Sequence, residues 1–278
     1  MPNASNGLDM AKIKARIEKR LKSELVPKQK IDGKKYILTG ISGFDDLLER
    51  GIPKGKAVLI AGSPGTGKTI FCLQTIAYGC QKGEKCIYLS LEESEESLIE
   101  YMKDFGWNPE KWISNRQLII KRLDPFEISK SLEAKEKTNL STNISKFIPE
   151  GFSPDRFVLD SITAIASAFA GKDEMYNIYI EQFFRMLEKL KTNSFLITET
   201  WQIPKSFDQT GEEEFLADGI VALYNFRKKN LRLRAVEILK LRDTKHENRI
   251  IPFNIIAGKG IFAYPKEEIY ASMEKEEL

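Results

Sequence analysis

Eight consecutive residues carry the strongest chemical signal in the chain. Gly62-Ser63-Pro64-Gly65-Thr66-Gly67-Lys68-Thr69 fits the pattern G-x-x-x-x-G-K-[ST] in full. A backbone that wraps tightly around phosphate oxygens needs conformations that glycine permits. Successive N–H groups then form an anion nest, and a helix that starts where the loop ends adds its positive pole. The Lys68 amine can reach the β- and γ-phosphates, and the Thr69 hydroxyl can ligate Mg2+. The pattern has this meaning only between a strand and a helix. Here it follows the apolar run Lys56–Ala61 and opens a helical stretch, Lys68–Cys80. Gly62 to Thr69, with Ile70 after them, are therefore the expected ATP-binding segment.

Such a loop needs carboxylates nearby. Asp160 ends the apolar run Phe157-Val158-Leu159 and is followed by Ser161. An acid at the end of a buried strand next to the phosphate loop would hold Mg2+ together with Thr69. The other reading is an aspartate that ends a strand and caps the next turn. Glu92 and Glu93 follow the strand Lys85–Leu91, whose end would also face the phosphates. A carboxylate there could polarise the attacking water. The competing reading is an acid-rich first turn favoured by the helix dipole.

The elements that must position these residues alternate. Strands are expected over Lys56–Ala61, Lys85–Leu91, Gln117–Arg122, Asp155–Leu159 and Ser194–Thr200. Helices are expected over Lys68–Cys80, Ser94–Phe105 and Asn177–Thr192, with a helical or looped segment over Phe126–Ile148. The grammar then changes to successive strands: Gly219–Phe226, Arg232–Leu241, Arg249–Ile256 and Gly260–Tyr264. That order predicts an α/β fold with a mostly parallel central sheet, flanking helices and antiparallel C-terminal strands.

Composition narrows the function classes. The 278 residues are 42% hydrophobic and 30% charged, which fits one or two globular domains. No run approaches 18 apolar residues, so no transmembrane helix is expected. The polar stretch Met1–Asp9 lacks the apolar core of a secretory signal. Three cysteines, Cys72, Cys80 and Cys86, read as reduced thiols of a cytoplasmic protein. One histidine, His246, excludes a His-rich metal site. Residues 1–35 hold ten basic and four acidic side chains, while the rest of the chain is net acidic. This predicts a basic arm with an amphipathic helix over 9–25 on a body that is not a general nucleic-acid binder. The cluster Arg227-Lys228-Lys229, with Arg232 and Arg234, is read either as a solvated hairpin or as a DNA-contacting channel lining.

Several stretches together resemble the RecA-like ATPases, most of all their KaiC branch. They are Thr39–Asp45, Gly51–Gly55, the phosphate loop, Glu92-Glu93, Phe157–Ser161, Glu214–Val221 and Arg234–His246. The resemblance spans about residues 36–264, leaving 1–35 as an N-terminal arm and 265–278 as an acidic tail. It implies a RecA-like core and a hexamer that holds ATP between subunits. It also implies that Glu92 and Glu93 are catalytic. By the same resemblance Lys240, Arg242, Thr244 and His246 are offered to the neighbouring subunit's nucleotide. A cation delivered from a partner would stabilise charge on the γ-phosphate. Lys240 and Arg242 share one strand face by the period of two, and Thr244 and His246 are expected to continue it. A basic edge strand that discourages aggregation is the other reading of these residues.

Two positions depart from the family pattern: Asp243 stands where glycine is common, and Trp201 where a basic residue is common. The expected function is Mg2+-dependent ATP binding and hydrolysis at the interfaces of a ring of identical subunits. A DNA-binding recombinase or repair accessory factor, and a nucleotide-gated scaffold with little hydrolysis, are the alternatives. The sequence names no protein partner.

Overall fold

The computed structural model of the protein describes residues 32–124, 147–199, 211–228 and 231–267. The basic helix expected over 9–25, most of the segment 126–148, Trp201 and most of the acidic tail lie outside these residues.

A nine-stranded sheet organises the chain. Its strands are β3 (Ala57–Gly62), β4 (Cys86–Ser90), β5 (Leu118–Arg122), β6 (Arg156–Asp160), β7 (Asn193–Glu199), β8 (Gly219–Lys228), β9 (Leu231–Leu241), β10 (Ile251–Ile256) and β11 (Gly260–Ala263). Their order across the sheet is β11-β10-β9-β8-β3-β7-β6-β4-β5. From β8 to β5 every pairing is parallel, and from β8 to β11 every pairing is antiparallel. A two-stranded sheet of β1 (Tyr36–Ile37) and β2 (Ile52–Pro53) lies apart from it. The sheet class is the one the alternation of apolar runs predicts.

The parallel strands are apolar because both faces are covered. All six residues of β3 are buried. Val58 and Ile60 join one core layer, beneath α1 (Lys68–Gln81) and α2 (Glu95–Asp104). Ala57, Leu59 and Ala61 join the opposite layer, with α4 (Ile162–Ala168) and α5 (Asp173–Leu190). A strand with helices on both sides has no polar face to show.

Several boundaries differ from the sequence expectation. The helix α5 starts at Asp173, four residues before the predicted Asn177, because its first turn is polar and exposed. Three short helices escape the periodicity altogether: α3 (Pro109–Ser114), α4 and α6 (Glu212–Leu216). The strand β6 is not next to the phosphate-loop strand, since β7 lies between them. The strand β9 ends at Leu241. Thr244 and His246 do not continue it, because Asp243 takes a positive φ of 64° and turns the chain.

Under α1 lies one buried charge. Arg156 is 1% exposed. Its Nε is ion-paired with Glu84, its Nη1 donates to the Thr75 carbonyl at 3.0 Å, and its guanidinium lies over the Tyr78 ring. Removing one partner of such a pair leaves an uncompensated charge in the core. Glu84→Ala should therefore cost about 3 kcal/mol of stability. Urea denaturation checks this, and a loss under about 1 kcal/mol would mean that Thr75 and Tyr78 suffice to hold the guanidinium.

Candidate active site

The phosphate loop owes its shape to close approaches. A Cβ on Gly62 would stand 2.5 Å from the Leu223 carbonyl oxygen and 2.8 Å from Thr66 Oγ1. Gly67, which caps α1, has a φ of 106°. Thr66 closes the loop through its amide and hydroxyl, both donating to the Ser63 carbonyl. Lys68 is buried and turned back into the loop. Its amine donates to the carbonyls of Gly62 at 2.9 Å and Ser63 at 3.2 Å, with Glu199 Oε1 at 3.6 Å. A phosphate oxygen would compete for the same amine.

Asp160, the last residue of β6, is buried. Its Oδ2 accepts from Tyr88 OH at 2.7 Å and from Thr69 Oγ1 at 3.1 Å. Burial raises its pKa to about 6. The Tyr88 hydrogen bond opposes that shift, and the neighbouring Glu92 carboxylate reinforces it. Thr69 and Asp160 thus present two oxygens to one point beside the loop. Among the described residues no group of three or more His, Cys, Asp or Glu could hold a metal by itself.

The glutamate pair is split. Glu92 Oε1 accepts from Ser161 Oγ at 2.6 Å, which turns its carboxylate toward Asp160. Glu93, which precedes the N-cap Ser94, has its Oε2 accepting from Ser97 Oγ at 3.0 Å and so lies against the first turn of α2. The amides of both donate to Ser90 Oγ. A cavity of about 570 Å3 covers this corner. Its lining holds five carboxylates (Glu92, Glu93, Asp104, Asp160 and Glu199) against two cations, Lys68 and Arg234. Ile70 lines it as well.

Arg234 departs from the expectation for the basic hairpin. Its Nη2 is 3.4 Å from the Gly65 carbonyl oxygen, so it belongs to this pocket rather than to a solvated hairpin or a channel. Its Nε is buried without a hydrogen-bond partner. Tyr88 is a further site residue that the motifs missed, and Glu199 at the end of β7 joins the pocket beside Lys68. The signal for Tyr88 was a phenol inside a buried strand, because a buried hydroxyl needs a partner.

The family-implied residues of the last strands lie elsewhere. In β9, Arg234 stands opposite Asn225, whereas Lys240 stands opposite Ile220. On the facing β8 those positions are five residues apart, roughly 17 Å. The Lys240 amine donates to the carbonyls of Glu214 at 3.1 Å and Ala217 at 2.7 Å, and burial pushes its pKa down. Arg242 Nη2 is 3.4 Å from the Phe215 carbonyl oxygen, and half of the Arg242 side chain is exposed. The Thr244 hydroxyl is buried without a partner, and His246 Nδ1 is 3.2 Å from the Glu247 carbonyl oxygen. Asp243 is engaged by Lys56 at 2.7 Å, so its carboxylate has a counter-charge. None of these residues lines the chain's own phosphate pocket.

Comparison with known proteins agrees with this architecture. The family described as "ATPase: KaiC" matches residues 37–268. The circadian clock protein KaiC3 of Synechocystis sp. is 31% identical over 255 residues, covering 90% of this chain and 50% of that protein. The circadian clock oscillator protein KaiC of Prochlorococcus marinus subsp. pastoris is 33% identical over 224 residues, covering 79% of this chain and 43% of that protein. The chain thus spans about half the length of the curated relatives it matches. The crystal structure of a KaiC-like protein from the hyperthermophilic archaeon Pyrococcus horikoshii OT3 superposes with a TM-score of 0.70 at 30% identity. That match covers 83% of this chain and 99% of the other.

Only the ionised form of Asp160 can ligate a cation. Its pKa of about 6 predicts that the Mg2+ required for half-maximal nucleotide binding rises as pH falls through 6, by about tenfold per unit. Asp160→Asn should raise the requirement at every pH and remove that part of the pH dependence. Titrations at pH 5 and 7.5 check both, and identical pH profiles for the two proteins would deny Asp160 the metal.

Proposed function

Because the chain belongs to the KaiC family of ATPases, we propose that it binds ATP with Mg2+ at residues 62–70 and hydrolyses it at the interfaces of a ring of its own copies. One observation carries the Mg2+ dependence. A pocket built for a polyanionic triphosphate has five carboxylates in its lining against two cations, with Thr69 and Asp160 hydrogen-bonded at 3.1 Å. A divalent cation between those oxygens and the β- and γ-phosphates resolves the conflict of charge.

The roles follow from position. The loop amides and Lys68 take the phosphates, and Lys68 exchanges its loop carbonyls for phosphate oxygens. Glu92, turned toward Asp160 by Ser161, orients the attacking water, and Glu93 supports it from just before α2. Arg234 meets the phosphates from its own chain. Lys240, about 17 Å away along the sheet, and Arg242 just beyond the strand would exchange their carbonyl partners of α6 and its cap for a neighbour's nucleotide, and Thr244 and His246 follow them. This distance supports assembly into a ring, for which six subunits is the family-implied number. Three buried, free cysteines are consistent with a reducing cytoplasm. Among the described residues no helix is long and apolar enough to cross a membrane.

Two measurements test this reading. Glu92→Gln with Glu93→Gln should retain ATP binding and cut turnover by roughly 10²-fold or more, with Glu92→Gln alone carrying the larger share. Wild-type turnover in the double variant would reduce the pair to a helix start. Arg242→Ala should be nearly inactive, since an arginine supplied in trans contributes on the order of 10³–10⁵ in rate. Lys68→Ala should lose ATP binding while staying folded. Mixing the two variants should recover activity, because each subunit supplies what its neighbour lacks. No recovery, together with specific activity that is independent of dilution, would mark a site complete within one chain.

A further inference from the structure

The face of β4 turned toward α1 and α2 carries Cys86, Tyr88 and Ser90 at the period of two. Ser90 Oγ accepts from the amides of Glu92 and Glu93 and so fixes the turn that carries both acids. Tyr88 holds Asp160 from the same face. Its ring is fully buried in the apolar layer beneath α1. A phenylalanine would fill that space without the cost of burying a hydroxyl. The hydroxyl is present, and it donates to Asp160 Oδ2 at 2.7 Å.

The two oxygens of Asp160 are not equivalent. Oδ2 takes both donors, Tyr88 OH and Thr69 Oγ1. Oδ1 accepts from no donor among the described residues, and it is open to the cavity that Asp160 lines with Lys68, Thr69 and Glu92. A carboxylate tied down by one oxygen presents the other in one orientation. The tie comes from the interior of the sheet. The strand β4 lies between β5 and β6, with Tyr88 opposite Val158 and Ser90 opposite Asp160. Thr69 cannot fix the carboxylate by itself, because its own oxygen is one of the two that a cation would take.

Resting on the Mg2+-nucleotide site argued above, we propose that Tyr88 is a positioning residue of that site: by tying down Asp160 Oδ2 it leaves Oδ1 alone for the cation, and it thereby selects Mg2+ over Ca2+. Mg2+ demands near-ideal octahedral geometry, which a single oxygen at a fixed point serves. Ca2+ is larger, accepts irregular shells and takes a carboxylate through one oxygen or both. A hydroxyl on Oδ2 blocks the second mode. Without it the carboxylate is held by Thr69 alone and can offer both oxygens, which costs Mg2+ more than Ca2+.

The test is Tyr88→Phe, which removes one oxygen and keeps the ring. Binding of a fluorescent ATP analogue to the full-length protein is titrated with Mg2+ and, separately, with Ca2+. The Mg2+ concentration for half-maximal binding should rise about tenfold or more, the scale on which lost outer partners weaken a metal site. The Ca2+ concentration should change by less than about threefold. The preference between the two cations therefore shifts toward Ca2+, a change that loosened packing would not produce. In an Asp160→Asn background the same substitution should leave the preference where Asp160→Asn alone puts it, because the hydroxyl then has no carboxylate to orient. Equal losses with both cations, or an unchanged preference, would overturn the proposal and make the hydroxyl a plain partner for a buried acid. A shift of the same size in the Asp160→Asn background would overturn it as well. Both results leave the nucleotide site standing. Wild-type binding that needs no divalent cation would take down the metal site itself, and this proposal with it.

Discussion

Asp160 has its carboxylate at the end of a strand buried on both faces, where leaving water is costly. Tyr88 and Thr69 return part of that cost with two hydrogen bonds to a single oxygen, and the pKa still stands near 6. The arrangement around it follows from this cost. Tyr88 must sit on the neighbouring β4 with its hydroxyl aimed across the sheet. Thr69 must open α1 directly beneath the loop. Glu92 is tied to Ser161 and faces the same point with a second negative charge. A cluster in which acids outnumber bases is stable only if a cation or protons join it. The chemistry of the site is therefore a consequence of its electrostatics before any substrate arrives.

The strand β9 shows how one element can serve two places. Near its start Arg234 touches the chain's own phosphate loop, and at its end Lys240 and the following Arg242 sit on the carbonyls of α6 and its cap. Arg234 and Lys240 are separated by most of the length of β9, across one register shift against β8. Neither group can swing to the other's position, because side chains do not span ~17 Å. One strand thus places its two cationic groups against different parts of the same chain, the phosphate loop and the carbonyls of α6 and its cap.

The phosphate loop was legible in the sequence because its demands are local: glycines where the backbone turns, a lysine and a threonine where a helix begins. Asp160 and the glutamates were legible as strand-end acids, since the strands themselves were marked by apolar runs. What could not be read was who meets whom across the sheet. Glu92 and Glu93 are adjacent in sequence, and only the positions of Ser161 and Ser97 separate their roles. The order β3-β7-β6-β4 depends on packing between distant segments, so the interposed β7 was invisible. Arg234 looked like one member of a basic cluster until the register of β8 and β9 set it against Gly65. The short helices were missed because one or two turns carry too little periodicity. The turn at Asp243 had one trace, a family glycine at that position, which marks a positive φ and was read only as a departure in charge.

Asp218 ties three segments into one knot. Its carboxylate accepts from the Lys56 amine and the Ala57 amide, its amide donates to the Ala57 carbonyl, and its carbonyl accepts from the Arg242 amide. Lys56 also grips Asp243. The knot stands at the entry of β3, and the phosphate loop leaves from the exit. A six-residue strand packed on both faces has no soft joint, so its ends cannot shift independently. The turn at residues 242–244 and Gly62 therefore stand at the two ends of one buried strand. The same six residues that bury β3 on both faces also fix how far the outward turn stands from the phosphate loop.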